Sequence, residues 1–243
     1  MKPYYEEDNG NIQIYCGDCL DILPSFADKS VDLVLTDPPY LVTARGSAGN
    51  SGGMLQKEIN RKGKVFEHND CNINLYIQSL YNILKEGSHF YIMTNHINLI
   101  ELLNTPTKTG FYFIKSLIWN KGNKIMGQYY MNQFEYILFF RKGFGKKINN
   151  CGTSDILNIP NVKTKNYNSV NLHDTEKPTR LMSVLIENSS NKNDLILDPF
   201  LGSGTTAVAT KELGRKCIGI EISKEYCDIA IKRLKNTQKD MFL

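Results

Sequence analysis

The segment Asp37-Pro38-Pro39-Tyr40 combines side chains that could hold an aromatic amine. Ionised Asp37 only accepts hydrogen bonds, and the two prolines contribute carbonyl groups but no N–H groups. Tyr40 adds an aromatic face on which a flat ring can stack. A planar ring that carries an NH₂ group fits this set, because the amine can donate to Asp37 and to the Pro38 carbonyl. Adenine and cytosine are rings of that kind.

A second candidate site follows a strand predicted at 194–198. Residues 202–207, GSGTTA, match G-x-G-x-x-A at the start of a predicted helix, where glycines let a ligand approach and the helix N-terminus favours an anionic group. Glu221 ends the next predicted strand, where an acid is well placed for the hydroxyls of a ribose. Thr205 stands where a Walker lysine would be, so a nucleoside triphosphate loop is excluded. S-adenosylmethionine and a nicotinamide dinucleotide both remain open for this loop.

The two sites together suit methyl transfer to an amine. An exocyclic amine is a poor nucleophile because its lone pair is shared with the ring, and two acceptors favour a more tetrahedral nitrogen. The sulfonium of S-adenosylmethionine is already an activated methyl donor, so transfer needs mostly positioning, an effect worth about 7–11 kcal/mol. A dinucleotide-binding oxidoreductase is the alternative from a different class, but it leaves residues 37–40 without a role.

The hydrophobic pattern predicts that strands position both sites. Residues 31–36, VDLVLT, form a run rich in β-branched residues and leucine that is typical of a buried parallel strand. Further strands are predicted at 12–18, 88–95, 111–121, 134–143, 194–198 and 216–222. Helices are predicted at 71–87, 96–105, 177–190, 205–214 and 223–236. This alternation predicts a doubly wound α/β fold.

The composition indicates one globular domain that spans residues 1–243. The chain is 41% hydrophobic and 22% charged, no apolar run reaches membrane-spanning length, and the N-terminus does not resemble a signal peptide. We therefore expect a cytoplasmic protein. No metal site is expected, since the one C-x-x-C pair, Cys16 and Cys19, has no second ligand pair.

The positive charge is concentrated in the middle of the chain. Residues 41–180 carry 18 basic and 9 acidic side chains, whereas the whole chain carries 29 and 25. This distribution is equally consistent with a solvated basic face and with a surface that contacts a polyanion such as nucleic acid.

DPPY at 37–40 and DPFLGSGTT at 198–206 resemble the motifs of the permuted, or beta-class, DNA amino-methyltransferases. In that class the catalytic motif precedes the cofactor loop. The resemblance implies a Rossmann-like, seven-stranded, mostly parallel sheet with one antiparallel strand and with helices on both faces. It also implies that Asp37, Pro38, Pro39 and Tyr40 act on a base flipped out of the duplex.

Shorter matches extend the resemblance to the cofactor, S-adenosylmethionine. CGDCLDIL (16–23) resembles the segment whose acid, here Asp18, reaches the cofactor's adenine, and HDTEKPTRL (173–181) resembles a helix start that places Thr175 and Lys177 near the methionyl end. Glu176 departs from this pattern, which often has Gln. By resemblance Glu221 binds the ribose, and the cofactor loop contributes Asp198, Pro199, Phe200, Gly202, Ser203, Gly204, Thr205 and Thr206.

The resemblance predicts a site-specific DNA methyltransferase that makes N6-methyladenine. Asp37 favours adenine, because cytosine-N4 enzymes of this family usually carry Ser there; cytosine-N4 methylation of DNA and adenine methylation of RNA remain alternatives. The partner is double-stranded DNA, while a homodimer and a separate cognate restriction endonuclease are left open. A lid is expected at about 41–70 and a short target-recognition segment at about 143–172. The expected phosphate contacts are Arg45, Arg61, Lys62, Lys64, Lys146, Lys147, Lys163 and Lys165.

Overall fold

The computed structural model describes residues 1–39, 72–125, 129–145, 147–161 and 177–237. In these residues one mixed sheet lies between helices. Its strands are β1 (Tyr5–Glu7), β2 (Ile12–Cys16), β3 (Val31–Thr36), β4 (Leu84–Thr94), β5 (Phe111–Ile125), β6 (Asn132–Lys142), β7 (Ile156–Asn158), β8 (Leu195–Asp198) and β9 (Lys216–Glu221). The helices are α1 (Cys19–Ile22), α2 (Ile73–Ile83), α3 (Leu99–Thr109), α4 (Thr179–Ser189), α5 (Thr205–Glu212) and α6 (Lys224–Asn236), and a 3₁₀ turn covers Leu23–Ser25.

The sheet has the strand order β1-β2-β9-β8-β3-β4-β6-β5-β7. Strands β2, β9, β8, β3 and β4 pair in parallel, and β6 is antiparallel to both of its neighbours. The α/β prediction is therefore confirmed, but the predicted number of seven strands is wrong, since the described residues form nine. The two additional strands, β1 and β7, are edge strands of three residues each, too short for a periodic pattern. The other seven strands contain one antiparallel member, β6.

Helices cover both faces of the central strand β3, as expected for a buried parallel strand. Leu33 and Leu35 pack in a cluster with the apolar face of α4, whereas Val34 packs on the opposite side with α2. A third cluster joins the β2 side of the sheet to α5 and α6. This double coverage explains why Leu33, Val34 and Leu35 are apolar in succession.

The parallel strands bring the predicted site segments to one edge of the sheet. Asp37 directly follows β3, Asp198 ends β8 and Glu221 ends β9, while Asp18 follows β2 closely. These four strands are consecutive neighbours in the sheet. Their carboxyl ends form the crevice where α/β folds bind ligands.

One predicted boundary is wrong in a way that affects the sheet. The helix expected at 71–87 ends at Ile83, and β4 starts directly at Leu84 rather than at residue 88. Leu84 pairs with Val31 at the start of β3 and is fully buried. Strand pairing therefore overrides the helical pattern. Separately, no helix in the described ranges is long and apolar enough to cross a membrane.

Gly204 lets α6 pack closely against the loop between β8 and α5. Its φ angle is +86°, and a Cβ atom there would lie 2.6 Å from the Cβ atom and 2.9 Å from the Cα atom of Ala230 on α6. Any larger residue must therefore displace backbone as well as adopt a disfavoured conformation.

We predict that Gly204→Ala destabilises the fold more than Gly214→Ala does. Both glycines have positive φ, but a Cβ at Gly214 would have nothing within 4 Å. Each substitution incurs the left-handed backbone cost of about 1–2 kcal/mol. Gly204→Ala should add about 1–3 kcal/mol of overpacking, measured as the difference between the two free energies of unfolding in urea. Equal losses of unfolding free energy in the two variants would show that the loop can move away from α6 at no cost.

Candidate active site

Asp198 is the buried centre of the candidate site. Its side chain is 3% exposed, and one carboxylate oxygen accepts hydrogen bonds from Thr36 Oγ1 at 2.9 Å and from the Phe200 N–H at 3.1 Å. The other oxygen accepts from Thr206 Oγ1 at 2.6 Å. Burial raises the pKa of Asp198 to about 6, and the nearby negative charge of Asp37 adds to this rise, whereas the three hydrogen bonds oppose it. Asp198 thus joins the end of β3, the glycine loop and α5.

Arg233 on α6 holds the glycine loop from the other side. Its guanidinium donates to the Ser203 carbonyl at 2.8 Å, to Ser203 Oγ at 3.0 Å and to Thr205 Oγ1 at 3.1 Å. The side chains of Ser203 and Thr205 are buried. These two residues, together with Thr206, were predicted to bind cofactor, and in the structure their hydroxyl groups fix the loop. Sequence reasoning did not identify Arg233, because nothing in the pattern of α6 marks it.

Glu221 is held in place by backbone N–H groups from two loops. One carboxylate oxygen accepts from Gly202 at 2.8 Å, and the other accepts from Ser223 at 2.8 Å. Its backbone carbonyl accepts from the Gly17 N–H at 2.9 Å, next to Asp18. Asp18 caps α1 by accepting from the Leu20 N–H at 2.9 Å. The structure therefore brings Asp18, Glu221 and the glycine loop together, and their binding of cofactor stays a prediction.

Pro199 and Phe200 complete the described part of the loop. Pro199 is buried, whereas Phe200 is half-buried and packs edge-on against Tyr76 with the ring centroids 5.0 Å apart. Gly202 adopts a φ of +55°. The cradle that these residues form with Asp18 and Glu221 presents backbone, a ring and two carboxylates, which suits the donor-rich, cationic S-adenosylmethionine.

Asp37 lies beside the cradle and is paired with Lys177. The Lys177 ammonium donates to Asp37 Oδ2, while the buried Oδ1 atom has no hydrogen-bond partner among the residues that the structure describes. Burial raises the pKa of Asp37, an effect that the Lys177 ammonium opposes. Pro38 and Pro39 follow directly, the first buried and the second partly exposed.

Lys177 was predicted to lie near the methionyl end of the cofactor, and the structure places its ammonium against Asp37, in the segment predicted to be catalytic. It also lies 3.5 Å from Glu135 Oε2 on β6, and Glu135 is in turn bound by Lys121 on β5. Burial alone would raise the pKa of Glu135, but the two ammonium groups bring it below its ordinary value. Sequence reasoning missed both Glu135 and Lys121, although it predicted strands at 111–121 and 134–143.

Several predicted site residues fall outside the described ranges. These are Tyr40 and Thr175, the proposed lid at 41–70, part of the segment at 143–172, and the DNA-contact candidates Arg45, Arg61, Lys62, Lys64, Lys146, Lys163 and Lys165. Their roles stay predictions. The described Lys147 is exposed but follows the end of β6, at the opposite edge of the sheet from Asp37. The structure thus does not bring Lys147 to the candidate site.

Comparison with known proteins identifies the family. The family model N6_N4_Mtase, described as DNA methylase, matches residues 31–232, from β3 through most of α6. The chain belongs to this DNA methylase family. The predicted relationship to S-adenosylmethionine-dependent DNA amino-methyltransferases is therefore confirmed.

Individual relatives of this DNA methylase agree with that assignment. The chain is 31% identical to the Type II methyltransferase M2.MboI of Moraxella bovis over 96% of this chain and 91% of that protein. It is 29% identical to the Type II methyltransferase M.HinfI of Haemophilus influenzae over 90% of this chain and 67% of that protein. The crystal structure of the M1.HpyAVI–SAM complex superposes with a TM-score of 0.67 at 26% identity, covering 92% of this chain and 100% of that one.

We predict that Thr36→Val destabilises this DNA methylase more at pH 8 than at pH 5. Above pH 6 Asp198 is ionised, so the Thr36 hydroxyl of the wild type donates to a charged group. The substitution removes this hydrogen bond, which is worth about 1.5–3 kcal/mol. Below pH 6 the carboxyl is protonated, and the loss in the free energy of unfolding falls to about 0.5–1.5 kcal/mol. Urea unfolding of wild type and variant at pH 5 and at pH 8 measures the two losses.

Thr94→Val is the matched control for this prediction. Thr94 is equally buried at the end of β4, but its hydroxyl donates to the neutral Asn95 carbonyl at 3.2 Å. The stability lost by Thr94→Val should therefore be the same at pH 5 and at pH 8. A Thr36→Val loss that is also independent of pH would contradict the ionisation of Asp198.

Proposed function

We propose that this DNA methylase transfers the methyl group of S-adenosylmethionine to the N6 amine of adenine in double-stranded DNA. The observation that carries the proposal is the state of the Asp37 carboxylate. Oδ2 is occupied by Lys177, whereas Oδ1 is buried and lacks a hydrogen-bond donor in the described part of the chain. A buried acceptor without a donor is costly. An amine N–H supplied by a substrate would remove that cost.

The segment at Asp37 offers hydrogen-bond acceptors to a substrate amine and has no backbone donors next to them. Pro38 and Pro39 have no N–H group, so the adjacent backbone cannot compete for the Asp37 oxygen. The carboxylate and the Pro38 carbonyl can hold both amine protons and stabilise the positive charge that develops on nitrogen during transfer. S-adenosylmethionine, when bound, supplies the electrophilic methyl group. Asp18, Glu221, Asp198 and the loop at 199–206 would hold it.

Adenine is preferred over cytosine because position 37 is Asp. The cytosine-N4-specific PvuII DNA methyltransferase shares the fold with a TM-score of 0.74, but at 20% identity this likeness concerns the fold alone. The matched family model, N6_N4_Mtase, is named for both kinds of amine, so cytosine-N4 methylation is the second candidate. Mass spectrometry of nucleosides from DNA treated with the enzyme separates the two, since N6-methyladenine and N4-methylcytosine differ in mass.

The relatives also suggest a biological setting. M2.MboI and M.HinfI are named Type II methyltransferases, which supports a place in restriction-modification with a separate endonuclease as partner. A cytoplasmic location and a homodimer stay predictions of the sequence. Sedimentation of the purified chain with and without duplex DNA measures the oligomeric state.

We predict that Asp37→Ala abolishes methyl transfer and leaves S-adenosylmethionine binding nearly unchanged. The substitution removes the acceptor for the amine, whereas the cofactor cradle is built by other strands. Transfer of a labelled methyl group to DNA and calorimetric titration with the cofactor measure the two effects. Retained transfer, or loss of cofactor binding alone, would remove Asp37 from the role assigned to it.

Asp32→Ala is the control on the same strand. Asp32 bonds to Lys85 at 2.7 Å and to the Leu195 N–H at 3.0 Å, away from the carboxyl end of β3. Asp32→Ala should lower the free energy of unfolding without abolishing methyl transfer to DNA.

We predict that Glu221→Gln weakens S-adenosylmethionine binding by at least about tenfold, a loss of roughly 1.4 kcal/mol. The amide turns an NH₂ group toward an N–H donor and so disturbs both the loop and the ribose contact. The exposed Glu225→Gln on α6 is the control. An unchanged Kd for Glu221→Gln, measured by calorimetry, would count against the ribose assignment.

A further inference from the structure

Four charged side chains form an alternating row that ends at the proposed catalytic carboxylate. Lys121 on β5 contacts Glu135 on β6, Glu135 lies 3.5 Å from the Lys177 ammonium, and Lys177 contacts Asp37. The side chains of Lys121, Glu135 and Lys177 are 14%, 17% and 8% exposed. The Asp37 side chain is 23% exposed, so the row as a whole is largely shielded from solvent, and Coulomb attraction between its members is stronger than at the surface.

A buried ring supports the two ammonium groups. Trp119 is 1% exposed, and its indole N–H donates to the Ile159 carbonyl at 2.8 Å, which fixes the ring. The ammonium nitrogens of Lys121 and Lys177 lie 5.1 Å and 6.0 Å from its centroid, within the range of cation–π attraction. Trp119 is also the cross-strand partner of Glu135 in the β5–β6 ladder. The sheet thus sets the position of Glu135 independently of Asp37.

Lysine alone is a poor positioning device. Its ammonium sits on a flexible four-carbon stem with three rotatable donors, so one contact leaves it free to reorient. A second carboxylate, on a different strand from Asp37, restricts the ammonium to one place. Without Glu135, Lys177 could move across the Asp37 carboxylate and occupy Oδ1, the atom that would otherwise receive the substrate amine.

We propose that Glu135 is a positioning residue that holds the Lys177 ammonium on Asp37 Oδ2 and thereby keeps Oδ1 available for the substrate amine. This inference rests on the proposed function of Asp37. Lys121 acts one step further away by fixing Glu135. The row therefore connects the β5–β6 hairpin to the reacting group without touching the substrate itself.

The test compares Glu135→Gln with wild type and with Lys115→Gln. Lys115 forms an ion pair with Asp155 at 2.7 Å on the same strand as Lys121, but it is exposed and remote from the row. Glu135→Gln should lower kcat by roughly 10- to 100-fold, the size of effect that a misplacement of about 1 Å produces. The KM values for DNA and cofactor should stay near those of wild type. Glu135→Asp, which keeps the charge, should recover part of kcat, and Lys115→Gln should match wild type.

The pH profile of kcat distinguishes positioning from a simple charge effect. The charged groups that act on Asp37 are Lys177, Glu135 and Lys121, and Asp198 also interacts with it. If Glu135 were only a nearby negative charge, its removal would lower the pKa of Asp37 and move the acid limb of kcat to lower pH, and the kcat plateau above that limb would stay as in wild type. If Lys177 moves onto Oδ1, it still contacts Asp37, and the plateau itself falls because the substrate amine loses its acceptor. We expect the lowered plateau, and an unchanged plateau would overturn the proposal.

A readout without catalysis keeps this proposal separate from the proposed function. Acetylation of Lys177 by acetic anhydride, followed by mass spectrometry, should be slow in wild type and faster in Glu135→Gln. If wild type transfers no methyl group to DNA, the proposed function fails, while the acetylation result still tests the row. Unchanged reactivity of Lys177 would overturn the positioning role. If Glu135→Gln does not fold, Lys121→Gln gives the same test, with a smaller loss of kcat and a smaller gain in the reactivity of Lys177.

Discussion

The burial of the Asp198 carboxylate is the constraint on which the site depends. An ionised carboxylate removed from water must be met by hydrogen-bond donors, and here the donors come from three separate elements: Thr36 at the end of β3, the Phe200 N–H in the loop, and Thr206 on α5. Any shift of one element would remove a donor from the charge. Asp37 follows Thr36 directly, so the interaction that fixes the glycine loop also fixes the carboxylate that we propose to be catalytic. One buried carboxylate thereby holds both parts of the proposed site, which come from distant parts of the chain.

The electrostatics of the site favour cations and amines over anions. Asp37, Asp198 and Glu135 bring three carboxylates to the region, and burial pushes the pKa of the first two upward. Lys177 and Lys121 balance part of this charge but leave acceptor capacity at Asp37. A sulfonium donor and an aromatic amine are both stabilised by such an environment. The charge that moves from sulfur to nitrogen during transfer would stay close to preorganised acceptors, which do not need to reorganise as water would.

The sequence was sufficient to predict the central strands and the site segments, because both follow from local patterns. The apolar run at 31–36 and the glycine loop after 194–198 correspond to β3 and to the turn before α5. Features set by long-range pairing were not predictable. The end of α2 at Ile83 depends on the pairing of Leu84 with Val31, and the partner of Lys177 turned out to be Asp37, far away in the chain. Arg233 and Glu135 lie on ordinary amphipathic elements, and only the fold shows which face each presents.

The strand order has a consequence for how the protein is made. Strands β2 and β3 are consecutive in the chain, yet β9 and β8 lie between them in the sheet. The middle of the sheet therefore stays open until the last part of the described chain has been synthesised and inserted. Contacts of such high sequence separation form slowly, because the loop-closure entropy must be overcome first. A growing chain could already carry the proposed amine-binding segment but could not bind the cofactor. Completion of the sheet and the appearance of activity would then be a single event in the maturation of the enzyme.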